Sequence, residues 1–262
     1  MSDPLPRRAV APPVPASWAA LRKHTPARIA LGRAGFGLPT AAHLEFQAAH
    51  ARARDAVHAR LDVGALISAI ASHGFEVISV ASAAANRQAY LRMPDLGRTL
   101  AAESRSRLSQ PMVAPDVVIV VGDGLSSVAV ERNAVPVLAA LGRRLADMRL
   151  RLAPIVVASG ARVALADEIG ELLQARLSVI MIGERPGLSA ADSLGMYLTF
   201  APRRGRVDSE RNCISNVRAG GMRAAAAAER AFDLIRSMLA HRASGVLLAS
   251  RALAGQSSRK TS

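Results

Sequence analysis

Three glycine-rich segments of this 262-residue chain combine residue types that could bind a large polar ligand. They are Gly122-Asp-Gly-Leu-Ser126, Ser159-Gly-Ala-Arg-Val163 and Gly183-Glu-Arg-Pro-Gly187, and each follows a short apolar run. Glycine lets backbone N–H and C=O groups approach a ligand closely, and charged side chains can fix its polar edges. Any one segment could simply form a tight turn after a strand. Three in succession predict a binding site.

The ligand of such a site is not expected to be an ordinary dinucleotide. Gly122-Asp-Gly lacks the third glycine of the G-x-G-x-x-G fingerprint, and the phosphate-binding pattern G-x-x-x-x-G-K-[ST] is absent from the chain. Asp167 and Glu168 suit the positive amino end of a helix dipole, yet they would repel a phosphate placed there. The residues therefore favour a different large cofactor.

Metal and nucleophilic chemistry are both disfavoured. His43, His50 and His58 lie on one predicted helix without carboxylate or cysteine partners at ligand spacing, so they indicate a solvated helix face. Ser126 and Ser159 do not stand in G-x-S-x-G, and no histidine occurs between residues 115 and 240 to activate them.

Cys213 is the single cysteine of the chain. It excludes an internal disulfide and agrees with a reducing compartment. On its own, a lone cysteine is expected to be a small, buried apolar side chain.

The elements that position the three loops alternate between short β-branched runs and amphipathic helices. Apolar runs at 117–121, 155–158 and 177–182 predict buried strands, and 196–200 is a candidate for a fourth. This alternation is typical of βαβ units in a parallel sheet. Ligands of such sheets bind outside the carboxyl ends of the strands, which is where the three loops fall.

The helices can be placed more coarsely. Pro136 is expected near the first turn of the helix that follows the first of these strands, and a closing helix is predicted at about 223–241. Nearer the amino terminus, Thr40 is a plausible N-cap for a helix that continues to Asp62. A strand is predicted at 75–80. The segment Ala89–Arg98 carries Pro and Gly and is expected to be a structured loop.

The formal charge of +14 first points to nucleic acid as a partner. Lysine, however, occurs only at Lys23 and Lys260, and aromatic residues, which could stack on bases, make up 3% of the chain. A basic nucleic-acid-binding module is therefore only an alternative, and a solvated surface or an acidic protein partner explains the charge. No apolar stretch approaches the ~18 residues that span a bilayer, and no secretory signal is evident. We expect no membrane contact and a cytoplasmic location.

Several motifs of the chain point to one family when they are taken together. Gly183-Glu-Arg-Pro-Gly-Leu188 followed by Cys213-Ile-Ser-Asn216 is the most specific combination. The others are Ala34-Gly35, Arg54-Asp55, Pro94-Asp-Leu-Gly-Arg98, Asp123-Gly-Leu-Ser126, Asp167-Glu-Ile-Gly-Glu171 and Ala243-Ser-Gly245. In these motifs and in their order, the chain resembles the small subunit of ethanolamine ammonia-lyase.

The resemblance implies an α/β fold, with a Rossmann-like parallel sheet flanked by helices and a helical N-terminal region. It implies a hetero-oligomer with a larger barrel-shaped subunit, and adenosylcobalamin, the cobalt-containing coenzyme B12, at the junction. Enzymes of this family convert ethanolamine to acetaldehyde and ammonia by a radical mechanism, and their substrate-binding residues belong to the large subunit. This chain is therefore expected to contact the cofactor and to be inactive alone.

Carried over motif by motif, the family's cofactor contacts fall on Val163, Glu184 and Cys213. Amides on the corrin rim need acceptors such as the Glu184 carboxylate, and valine can cover apolar surface. No residue of the chain is expected to be catalytic or to ligate a metal. Ala161 departs from the family, in which a glycine commonly precedes the Arg-Val pair.

Four segments are predicted along the chain. They are an extended Pro-rich arm at 1–20, a helical N-terminal region at 21–110, a Rossmann-like cobalamin-contacting domain at 111–250 and a polar tail at 251–262. Many relatives carry a longer amphipathic extension for packaging into a bacterial microcompartment, and this amino terminus does not resemble one. A microcompartment is therefore an alternative location to the cytoplasm. A stand-alone Rossmann-type enzyme with a nucleotide cofactor is the alternative function.

Overall fold

The computed structural model of the chain describes residues 16–109 and 113–260. It contains a six-stranded sheet with the order β1-β3-β2-β4-β5-β6. The strands are β1 Val77–Ala81, β2 Val117–Gly122, β3 Ile155–Ser159, β4 Leu177–Gly183, β5 Leu194–Phe200 and β6 Arg211–Val217. The first four strands in this order, β1, β3, β2 and β4, form the parallel part of the sheet.

Helices flank the sheet and precede it. The α-helices are α1 Ala16–Leu21, α2 Thr40–His58, α3 Val63–Ala71, α4 Arg87–Arg92, α5 Ala102–Leu108, α6 Ser127–Asp147, α7 Leu165–Leu172, α8 Ala224–His241 and α9 Gly245–Lys260. Two 3₁₀ helices lie at Pro94–Arg98 and Asp208–Glu210. In the ranges that the structure describes, no helix is long and apolar enough to cross a membrane.

Helices cover both faces of the central strands, so every residue of β2 and β4 is buried. Along β2, Val117, Ile119 and Val121 join the larger apolar cluster, to which α3, α6 and α8 contribute. Val118 and Val120 point to the opposite face and pack with α5 and α7. This two-sided burial explains why the strands are continuous apolar runs in the sequence.

The sheet is mixed. β1, β3, β2 and β4 are parallel, whereas β5 and β6 are antiparallel to their neighbours. The predicted α/β class is confirmed. The prediction of a parallel sheet holds for four strands and is wrong for β5, which contains the predicted strand at 196–200, and for β6. The connections at 184–193 and 201–210 are too short for the helical crossover that parallel neighbours require.

Two predicted helix boundaries differ from the structure because local caps determine where helices begin. The Ser126 side chain accepts a hydrogen bond from Ala129 N at 3.2 Å and caps α6, so Pro136 lies inside this helix rather than near its first turn. The helix predicted from Thr40 to Asp62 begins at Thr40 as expected but ends at His58, and a second helix begins just after the predicted range. Asp62 Oδ1 accepts from Ala65 N at 2.9 Å and caps α3, after α2 has ended at His58.

Other segments carry more regular structure than the sequence indicated. The predicted loop at 89–98 contains part of α4 and a 3₁₀ helix, and residues 251–260 of the predicted polar tail continue α9. In the predicted arm, residues 16–20 belong to α1, and residues 1–15 lie outside the described part of the chain. β1 falls in the predicted N-terminal region yet pairs with β3. The division into domains stays a prediction.

Candidate functional site

The carboxyl ends of β2 and β4 meet where the strand order reverses. From β2 the chain passes through α6 to β3 on one side, and from β3 it passes through α7 to β4 on the other. Gly124 has a φ of 59°, and its backbone lies so close to Gly183 that a Cβ atom would overlap the Gly183 carbonyl oxygen. Leu125 N donates to the same oxygen at 2.9 Å. Two of the predicted loops are therefore packed together at the crevice.

Asp123, in the loop after β2, faces neighbouring backbone groups. Its Oδ1 atom accepts hydrogen bonds from Gly124 N at 3.0 Å and from Ala161 N at 2.9 Å. Burial raises the pKa of Asp123, while these hydrogen bonds and the nearby Arg87 act in the opposite direction. The Asp123 carboxylate therefore connects the loop after β2 to the loop after β3. This role differs from the expectation that charged residues in these loops bind the polar edge of a ligand.

Tyr90 of α4 is hydrogen-bonded to the loop after β3. Its hydroxyl donates to the Ala161 carbonyl at 3.1 Å, and burial raises the pKa of Tyr90 to about 12. The guanidinium carbons of Arg87 and Arg162 lie 4.7 and 4.2 Å from the ring centroid, a geometry of cation–π contacts. Arg162 N also donates to the Gly97 carbonyl at 2.8 Å. The segment around α4 thus holds the loop that leads to Val163.

Val163 is the first of the three predicted contact residues and lies just before α7. It is half-buried and packs on the apolar cluster of the α7 face, as Tyr197 of β5 does. Val163 also borders a hollow of about 590 Å³ that includes Asp167 and Arg211. Its apolar side chain is therefore accessible from the α7 side of the sheet.

Two buried carboxylates follow at the start of α7, and both are bound by arginines. Both carboxylate oxygens of Asp167 lie 2.7 Å from Nη1 of Arg211, a side chain that is itself buried. Glu168 accepts hydrogen bonds from Arg105 and Arg204 and, at 2.9 Å, from Leu100 N. These residues join α7 to surrounding segments, so they are structural rather than ligand-facing.

Glu184 directly follows β4, and two strands position its carboxylate. Oε2 accepts from Ser193 Oγ at 2.5 Å and from Asn216 N at 3.3 Å. Gly195 leaves room for this side chain, because a Cβ atom there would come within 3.0 Å of Oε1. The carboxylate is half-buried and lies against the strand surface, with its position fixed before any ligand arrives.

Cys213 lies on β6 opposite Tyr197 of β5 and is exposed. The expectation of a buried apolar cysteine is wrong: β6 is an edge strand, and it is the neighbouring Ile214 that faces the apolar cluster to which α8 contributes. Partial burial raises the pKa of the Cys213 thiol; a hydrogen bond with Tyr197 lowers it, and the negative charge of Glu184 raises it. Glu184, Tyr197 and Cys213 therefore form one connected group.

We call Glu184, Gly195, Tyr197 and Cys213 the strand-end platform. The structure brings Glu184 and Cys213 together in it and places Val163 on the same side of the sheet, next to the apolar cluster that includes Tyr197. Tyr197 and Gly195 were missed by sequence analysis. Tyr197 pairs with Cys213 of β6 and Gly195 lies at an irregular point of the same strand pair, which the apolar pattern did not reveal. The platform offers a hydrogen-bond acceptor and a partly apolar surface.

The residues considered for other chemistry are engaged elsewhere. Ser126 Oγ donates to the Ala191 carbonyl at 2.7 Å in addition to capping α6. His43 forms a hydrogen bond with Gln47 at 3.0 Å, and His50 stacks with Phe46. In the described part of the chain, no group of three or more His, Cys, Asp or Glu side chains is arranged to hold a metal ion.

Known proteins resemble this chain over most of its length. The sequence model of the ethanolamine ammonia-lyase light chain (EutC) family matches residues 15–249. The chain is 53% identical over 235 residues to the ethanolamine ammonia-lyase small subunit of Azotobacter vinelandii, which covers 88% of this chain and 87% of the relative. It is 52% identical to the small subunit of Pseudomonas syringae pv. tomato, covering 88% and 82%, and 51% identical to that of Ralstonia nicotianae, covering 88% and 87%. The chain belongs to the ethanolamine ammonia-lyase small-subunit family.

Proposed function

We propose that this chain is the cofactor-contacting small subunit of an adenosylcobalamin-dependent ethanolamine ammonia-lyase, which converts ethanolamine to acetaldehyde and ammonia. Its partner is a large catalytic subunit, and the two form a hetero-oligomer in the cytoplasm. The observation that carries the proposal is the strand-end platform, where the fixed carboxylate of Glu184 lies beside the exposed Cys213. The names of the relatives agree with a two-subunit enzyme.

The platform fits the edge of a corrin ring. Amide groups on such an edge donate hydrogen bonds, and the Glu184 carboxylate can accept them through Oε1, since Oε2 is held by Ser193 and Asn216. Gly195 leaves room for the carboxylate, because a Cβ atom there would crowd Oε1. Val163 and the ring of Tyr197 supply apolar surface on the same face. Val163, Glu184 and Cys213 would thus hold and orient the cofactor.

Adenosylcobalamin, when bound, supplies the carbon-centred radical that starts the reaction. The residues of this chain bind one side of the cofactor, keep it oriented and exclude water from that side. The four parallel strands, with the proposed cofactor contacts near their carboxyl ends, support a relationship to Rossmann-like folds. β5 and β6 extend this parallel sheet with two antiparallel strands.

Replacing Glu184 by Ala is expected to weaken cobalamin binding by the assembled complex about tenfold to a hundredfold. A hydrogen bond to a charged acceptor contributes on the order of 1.5 to 3 kcal/mol, which corresponds to this range of dissociation constants. The measurement is a titration of hydroxocobalamin followed by its absorbance. Turnover at saturating cofactor should change much less.

The control is Glu229→Ala, which removes an exposed carboxylate that pairs with Arg144 on the opposite side of the sheet. It should leave the affinity unchanged. If Glu184→Ala lowers the melting temperature but binds cobalamin as tightly as the unaltered complex, Glu184 is a structural residue and its assignment as a contact is wrong.

A further inference from the structure

A hollow of about 500 Å³ lies at the point where the strand order reverses, and the loop that follows Glu184 forms part of its lining. α2 forms one wall, and the loops that follow β2 and β4 form the other. Arg87 holds α2 in this position, because its Nε atom donates to the Val57 carbonyl at 2.8 Å and its Nη1 atom donates to the Gly124 carbonyl at 2.7 Å. The hollow is therefore a built feature of the crevice.

The charged and polar side chains that line the hollow are arginines and histidines. They are Arg54 and His58 at the end of α2, His50 one turn earlier, and Arg185 in the loop after β4. Among the residues described by the structure, no Asp or Glu lines this hollow, and neither Arg54 nor Arg185 forms an ion pair. Arg211, in contrast, is bound to Asp167. Two guanidinium groups are thus available to an anion.

The walls of the hollow are apolar. They consist of Ala53, Val57, Leu91, Leu125, Pro186 and Leu188. A ligand that fits must join one anionic group to a less polar body. Arginine is the side chain best suited to such an anion when it is a phosphate, because its planar fork matches the oxygens.

The hollow and the platform are linked through the chain, because Arg185, which lines the hollow, directly follows Glu184 of the platform. One large ligand can therefore reach both. Cobalamin carries, besides its corrin ring, a nucleotide tail in which a phosphodiester joins the ring to a ribose and an aromatic base. The tail therefore combines an anionic phosphodiester with a less polar base, as the lining of the hollow requires. The volume of the hollow lies in the usual range of pockets that bind small molecules.

We propose that Arg54 and Arg185 bind the phosphodiester of the cobalamin nucleotide tail, while the apolar walls of the hollow cover its base. The inference rests on the proposed function and extends it from the corrin edge to the tail. It assigns roles to an arginine of α2 and to an arginine of the β4 loop, which approach the crevice from opposite sides.

The test compares two ligands on the assembled complex with the large subunit. Hydroxocobalamin contains the nucleotide tail, and cobinamide lacks it. Arg54→Gln and Arg185→Gln should each raise the dissociation constant of hydroxocobalamin about tenfold, and the double variant should raise it roughly a hundredfold. The dissociation constant of cobinamide should change less than about twofold. Arg143→Gln, an exposed arginine of α6, is the matched control and should affect neither ligand.

Equal weakening for both ligands, or no weakening for either, would overturn the inference while the proposed function stands. If the unaltered complex binds neither ligand, the proposed function fails as well. Inorganic phosphate provides a separate arm, titrated calorimetrically into the cofactor-free complex. Phosphate binding that the double variant abolishes, together with unchanged hydroxocobalamin affinity, would assign the hollow to a free anion and contradict the proposal.

Discussion

The isolated chain should release no acetaldehyde from ethanolamine above the uncatalysed background, even when adenosylcobalamin is supplied. The strand-end platform offers contacts rather than an activated nucleophile, because burial raises the pKa of the Cys213 thiol and Oε2 of Glu184 is engaged by Ser193 and Asn216. Ser126 is likewise engaged by the Ala191 carbonyl. Addition of the large subunit should raise the rate by about 10⁶-fold or more, the usual range of enzymatic acceleration.

A coupled assay for acetaldehyde, with alcohol dehydrogenase and NADH, measures this difference directly. The same preparation of the chain is assayed alone, with the large subunit, and with the large subunit but without cofactor. Only the complete mixture should be active. Steady turnover by the chain and cofactor alone would contradict both the subunit assignment and the view that this chain contributes contacts rather than chemistry.

Glu168→Gln should lower the free energy of unfolding at pH 7 by about 3 kcal/mol. The Glu168 side chain is about 2% exposed, and its carboxylate binds Leu100 N and the guanidinium groups of Arg105 and Arg204. Hydrogen bonds to a charged group contribute roughly 1.5 to 3 kcal/mol each, and part of that is recovered because both arginines can reach water. Chemical denaturation with the change in circular dichroism measures the loss.

The effect should depend on pH in a defined direction. Burial acts to raise the pKa of Glu168, but the hydrogen bonds from Leu100, Arg204 and Arg105 outweigh burial and hold it below its ordinary value of 4.5. A lowered pKa in the folded state means that the stabilisation is present above pH 4.5 and is lost as the pH falls through the lowered value. The stabilities of the two proteins should therefore converge in acid.

Glu103→Gln is the matched control, because Glu103 also pairs with an arginine but is 86% exposed. Exposed pairs of this kind contribute little to stability. This variant should unfold at the same denaturant concentration as the unaltered chain. A Glu168→Gln variant that is equally unaffected, or a stability difference that does not change between pH 7 and pH 3, would show that the buried carboxylate is not the source of the stabilisation.

The sequence predicted the central strands well because their physical signal is local. β2, β3 and β4 lie in the parallel part of the sheet, where helices cover both faces, and they appear as short runs in which Val, Ile and Leu predominate. Their ends fell within two residues of the prediction, and the loops that follow them, including Gly124 and Gly183, were placed correctly at one crevice.

β6 could not be predicted in the same way. Only one face of Arg211–Val217 is covered, and its buried residues include the arginine that binds Asp167. Its burial depends on that distant carboxylate and on pairing with β5, neither of which leaves a local pattern. The error for Cys213 has the same origin. The exposure of this residue follows from its place on an edge strand, and the chain order alone does not reveal the edge.

The candidate site was predicted by a different route. Family motifs pointed to Val163, Glu184 and Cys213, and the structure puts the last two in one group. Tyr197 connects that group to the apolar cluster next to Val163, and no motif marked it. Their roles toward the cofactor remain predictions, for which the titrations above are the tests.

The pairing of β1 with β3 limits the order in which the chain can fold during synthesis. Val77 pairs with Ile155, and β2 and the whole of α6 lie between them in the chain. As the chain leaves the ribosome, β1 emerges early and stays unpaired until β3 has been synthesised. During that interval its apolar side chains are open to misassembly. A nascent chain that stalls before residue 155 should therefore bind a chaperone, and release should follow once β3 has emerged.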